Sequence, residues 1–107
     1  MNDTKGYCMI LAACPNMQEA DELAAKMVEH RLAACVQITA ITSYYQWKGS
    51  ANRDAEYLML IKTRAGLYPA IESFIKDHHS YEVPEILMIP IQNGLPAYLD
   101  WIDEGTA

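Results

Sequence analysis

The sequence predicts one α+β domain in which helices cover one face of an antiparallel sheet. Three observations carry this. Apolar spacing switches between a helical period and a strand period along the chain. Clusters of Gly, Pro, Asn and Ser fall between those segments. The 107 residues are enough for one domain (1–107) with an ordinary core that needs no disulfide or metal to fold, and too few for two.

Residues 7–14, YCMILAAC, are apolar almost throughout and suit a strand covered on at least one face. Pro15 ends it. Asn16 is a good helix N-cap, and Glu19 stands three residues on, in the manner of a capping box. Met17, Ala20, Leu23, Ala24 and Met27 then recur at helical spacing with charged residues opposite, which predicts an amphipathic helix over 16–31. From 35 to 47 the period becomes two: Val36, Ile38 and Ala40 share one face, Gln37, Thr39 and Ile41 the other. KGSANRD at 48–54 is turn chemistry, and AEYLMLIKTR at 55–64 is a second strand, so the pair is a hairpin. Gly66 and Pro69 open a second helix whose stripe is Leu67, Ile71, Phe74, Ile75 and His78. EILMIPI at 85–91 is a strand that Pro90 assigns to an edge or a bulge. NGLP at 93–96 turns the chain into a short C-terminal helix anchored by Tyr98, Leu99 and Ile102. The order β-α-β-β-α-β with a trailing helix is the ferredoxin-like split pattern.

The net charge is −6, and no cluster of Lys or Arg offsets it locally, which argues against a nucleic-acid partner. No apolar run approaches the ~18–20 residues of a membrane-spanning helix. Cys8, Cys14 and Cys35 are odd in number and not closely paired, so free thiols in a reducing compartment are expected. LAAC at 11–14 has the look of a lipoprotein cleavage site. Yet the segment before it carries Asp3 and a single lysine around a short apolar stretch, and LAAC recurs at 32–35, so a buried strand is the better reading.

The hairpin raises a question of size. Arms of ~12 residues would run ~40 Å, against a diameter of ~35 Å for a compact chain of this length. Its tip carries Tyr44, Tyr45 and Trp47, apolar surface that a lone monomer would expose. Either the strands are bent and shorter, or another subunit covers them; the second also disposes of exposed sheet edges.

DHHSYEVPEI at 77–86 concentrates the titratable residues. His78 continues the apolar stripe and is expected to aim inward, with His79 outward. The turn after the helix can return Glu85 toward His78. An imidazole and a carboxylate in reach of one another either bind a borderline divalent ion or hydrogen-bond for structural reasons, and histidines at a helix C-terminus suit its dipole in any case. Cys35 is better read as a structural thiol than as a nucleophile. The chain has no phosphate-cradling glycine loop, no C-x-x-C, no RNP strand and no basic anion loop after the first strand, so an enzyme is not expected.

From Cys8 to Trp101 the chain resembles the CutA family of divalent-ion tolerance proteins. The segments that carry the resemblance are ELAAKMVEHRLAACVQI (22–38), SYYQWKGS (43–50), EYLMLIKT (56–63), HHSYEVPEIL (78–87) and YLDWI (98–102). Ser80 stands where the commonest family form has proline. The resemblance implies a cytoplasmic, non-enzymatic homotrimer of ferredoxin-like subunits, PII-like in architecture, whose long hairpins wrap their neighbours. Tyr44, Tyr45 and Trp47 then become inter-subunit contacts. It also implies tolerance of copper and other divalent cations, with His78 and Glu85 as ligands. Ala12 occupies the place of the family's first-strand cysteine, and Cys14, two residues on along the same strand face, is the available substitute.

Two further functions are open. A PII-like trimer has clefts between subunits, and Tyr81, Glu82 and Lys62 would line one that senses a nucleotide or organic anion. A purely structural trimer would bind nothing. Stabilisation by a ligand separates these readings, since binding to the folded state raises the melting temperature.

Overall fold

Asn16 stops the first strand and starts the first helix by accepting the Glu19 backbone N–H at 2.8 Å. The computed structural model describes residues 6–107; residues 1–5, with Asp3, lie outside the described residues. The elements are β1 (Tyr7–Cys14), α1 (Met17–Glu29), β2 (Cys35–Trp47), β3 (Ser50–Arg64), a 3-10 turn (Ala65–Leu67), α2 (Tyr68–His78), β4 (Ile86–Ile91) and α3 (Pro96–Gly105). The strands form one antiparallel sheet in the order β2-β3-β1-β4. Pro90 lies in β4, an edge strand, opposite Cys8. This is the edge position its missing N–H demands.

Strand alternation sorts the core. Cys8, Ile10, Ala12 and Cys14 of β1 and Met59, Ile61 and Thr63 of β3 are fully buried on one face. Leu23 and Met27 of α1 and Ile71 and Ile75 of α2 complete that core. Ala12 and Cys14 share a face, as the two-residue spacing requires. Tyr7 and Arg64 stand on the opposite face, and both reach the C-terminal helix region: the Tyr7 hydroxyl donates to Asp103 at 2.5 Å and the Arg64 guanidinium to the Thr106 hydroxyl at 2.8 Å. Of the expected α3 anchors, Ile102 is fully buried, Leu99 is half-buried and Tyr98 is exposed, stacked on Trp101. Beyond α3 the second sheet face is open, with Leu87 55% and Ile89 42% exposed.

The hairpin turn is shorter than its composition predicts. Residues 48–54 read as a turn, but Trp47 already pairs with Ser50, so only Lys48 and Gly49 turn the chain. Their φ angles are 51° and 80°. Positive φ at both central residues is the primed geometry that matches the strand twist. The polar residues that follow are ladder residues. Arg53 donates to the Tyr44 hydroxyl at 3.0 Å, and the Tyr45 hydroxyl donates to Asp54. The arms therefore reach 13 and 15 residues, and the chain measures 44 × 30 × 23 Å along its principal axes. A Cβ at Gly49 would meet nothing within 4 Å, so only backbone strain opposes it. Gly49→Ala is expected to cost about 1–2 kcal/mol in chemical denaturation; an unchanged midpoint would mean that the turn relaxes freely.

Candidate functional site

α2 ends at His78, and His79 leaves the helix with φ −87° and ψ 144°. That single change of ψ decides which histidine goes inward. His79 has no exposed side-chain surface. Its Nε2 lies 2.7 Å from the Ala13 carbonyl, and its Nδ1 accepts the Tyr81 backbone N–H at 3.0 Å. An amide N–H needs a lone pair, so the proton sits on Nε2 and is donated to Ala13. The Glu19 carboxylate approaches Nδ1 at 3.3 Å while accepting the Ser80 N–H at 3.1 Å. With Nδ1 unprotonated, that approach is a polar contact and not an ion pair. Glu19 thus supplies half of a capping box: its backbone is capped by Asn16, but its side chain is diverted to the 79–81 turn.

Cys14 closes the group. Its sulfur, a Glu19 carboxylate oxygen and a His79 ring nitrogen all lie within 4.8 Å of one another. Burial pushes the Cys14 thiol up to about 12, with Glu19 and Glu56 adding to the effect. The cluster forms because the end of β1, the start of α1 and the end of α2 meet at one corner of the sheet.

His78 departs from expectation. It is exposed, its Nδ1 rests 2.8 Å from the Phe74 carbonyl one turn back, and its ring lies against Phe74. The buried stripe of α2 stops at Ile75. His78 borders a small recess with Glu22 and Lys26 of α1, whereas Glu85 borders a separate cavity of about 540 Å³. Tyr81 and Glu82 share that cavity with Tyr45, Trp47 and Glu56. Lys62 does not belong to it. It pairs with Met9 across the ladder and donates to Gln37 at 2.6 Å, while the 79–81 turn is tied to Ala13. Four residues of strand, about 13 Å, separate Met9 from Ala13. Glu56 is 8% exposed and accepts the Tyr81 hydroxyl at 2.7 Å. Burial first, and then that bond, push the Tyr81 phenol well above its ordinary value.

Fold and site together define a small α+β protein with a sulfur, a carboxylate and an imidazole gathered where its first strand meets two helix ends. The family described as CutA1 divalent ion tolerance protein matches residues 8–105. The chain belongs to that family. It is 48% identical over 94 residues to the mouse protein named Protein CutA, covering 87% of this chain and 53% of the mouse protein. The chain therefore spans about half the length of that relative. It is 40% identical over 95 residues to the divalent-cation tolerance protein CutA of Archaeoglobus fulgidus, covering 89% and 93% of the two chains. A structure of the Archaeoglobus protein, described as periplasmic, superposes with a TM-score of 0.91 at 38% identity, covering 92% of this chain and 97% of that one. The Thermus thermophilus divalent cation tolerance protein superposes with a TM-score of 0.91 at 40% identity, covering 94% and 99%.

Proposed function

We propose that the chain binds a divalent cation, copper foremost, in the tolerance role that names its family. It does so without catalysis, as a homotrimer of ferredoxin-like, PII-like subunits. The observation that carries the metal reading is the Cys14–Glu19–His79 cluster, three ligand types from three elements within 4.8 Å. Sulfur, imidazole and carboxylate together suit a borderline ion. The chemistry such an ion would supply is simple sequestration. Holding it asks His79 Nδ1 to release the Tyr81 N–H, and asks Cys14 to lose its proton. Binding therefore releases a proton, and its affinity rises by up to about tenfold per pH unit below the thiol's range. Three free cysteines support a reducing, cytoplasmic setting. No described helix is long and apolar enough to cross a membrane.

The resemblance points instead to His78 and Glu85, so the two ligand sets are tested against each other. In equilibrium dialysis against Cu(II) and Zn(II), Cys14→Ser, Glu19→Gln and His79→Gln are each expected to weaken binding by about 10–100-fold. His78→Ala and Glu85→Ala are expected to leave it unchanged. The reverse pattern moves the site to His78 and Glu85, and equal weak binding by all variants sinks the metal reading. A second reading, a small-molecule sensor, is favoured by the cavity beside Tyr81 and Glu82.

A further inference from the structure

We infer that the cavity between the hairpin and the 79–85 turn is a binding site for a small organic cation, an ammonium group carried on an apolar body. The inference rests on the sensor reading above and not on the metal reading. Its ligand is opposite in charge to the anion that a cleft between subunits lined by Lys62 would suit.

The cavity has a volume of about 540 Å³, in the range of small-molecule sites. Within one subunit Tyr44, Tyr45, Trp47 and Tyr81 supply its aromatic surface and Glu56, Glu82 and Glu85 its charge; among the described residues no lysine or arginine lines it. An aromatic face attracts a weakly hydrated cation, and a carboxylate nearby strengthens the attraction. Two of the cavity's hydroxyls are already committed. Tyr45 already donates to Asp54, and Tyr81 donates to Glu56 at 2.7 Å. A phenol has a single proton to give, so neither ring retains a donor for an anion.

Glu56 is the independent observation. It is a carboxylate buried to within 8% of full enclosure, facing the cavity, with one hydroxyl as its side-chain partner. Among the described residues no lysine or arginine lies within salt-bridge distance of it. A buried carboxylate without a countercharge is costly, and a cation in the cavity would offset that cost. The aromatic wall selects an organic cation over a small inorganic one, whose tightly held water the rings do not replace.

The test uses the purified full chain in its native assembly, with EDTA present so that no metal contributes. Tetraethylammonium chloride is titrated by isothermal titration calorimetry, with sodium chloride at matched ionic strength as the blank. Saturable binding is expected, weakened by about tenfold or more in Glu56→Gln and in Trp47→Leu. Glu56→Gln keeps an acceptor for Tyr81, and unchanged melting of the variant shows that the cavity wall persists. Binding that Glu56→Gln leaves intact would overturn the proposal, as would equal binding of a neutral alkyl alcohol of the same size. Saturation by AMP without response to tetraethylammonium would overturn the cation while keeping the sensor. Response to neither would overturn both.

Discussion

Replacing His79 by alanine is expected to destabilise the chain by about 2–4 kcal/mol, while the same change at His78 costs less than about 0.5 kcal/mol. The two residues are neighbours of one type at one helix end, yet their surroundings differ completely. The His79 ring is enclosed and joins three parts of the chain. It donates to Ala13 on β1, accepts from Tyr81 in the turn and packs on the Tyr81 ring. Alanine leaves a buried carbonyl and a backbone N–H unpaired and opens space beside Cys14. Unpaired buried groups cost about 1–3 kcal/mol each, more than a lost surface contact. His78 gives up only a contact with its own helix. Urea denaturation at one fixed protein concentration makes the comparison, because assembly couples stability to concentration. Equal losses from the two variants would show that the 79–81 turn is not clamped as described.

Leu87→Asp is expected to break the proposed trimer into smaller species. Leu87 sits on the sheet face away from α1 and α2, opposite Leu11, and is 55% exposed; Ile89 beside it is 42% exposed. Half-buried Met9, Leu11, Leu58 and Leu60 continue the same face. Covering a leucine fully contributes about 1.5–3 kcal/mol, and an aspartate in its place would have to be dehydrated without a partner. The change acts once per subunit, so its effect on a trimer is multiplied. Sedimentation velocity at micromolar concentration reads the outcome. A particle of unchanged size would place the subunit contacts elsewhere, for example on the hairpin tips alone.

Much of the architecture was legible because it rests on periodicity. The apolar run at 7–14, the period-two run at 35–47 and the helical run after Asn16 each became the element expected of them. The turn was misjudged because Gly, Ser, Asn, Arg and Asp tell of polarity and not of pairing; Tyr44 and Tyr45 on the facing arm hold Arg53 and Asp54 in the ladder. Within residues 77–86 the sequence aimed His78 inward and His79 outward, and the structure reverses the two. Helical phase extrapolates to the last helical residue, and the residue beyond it obeys its own ψ. Glu19 was readable only as a helix-start residue, since nothing local announces that a turn some sixty positions later will take its side chain. Glu56 fell on a strand like any other polar residue, and its side-chain partner, Tyr81, arrives from a distant segment.

The position of β1 has a consequence for how the chain is made. It is first among the described strands to be synthesised, yet it lies inside the sheet, and both its neighbours, β3 and β4, come later. While β2 and β3 can zip together as soon as they emerge from the ribosome, YCMILAAC must wait with both backbone edges bare. Contacts between distant segments form slowly, and bare apolar strands are the ones nascent chains misplace. This apolar strand of the nascent polypeptide is thus a natural client for a chaperone until Ile91 has been added.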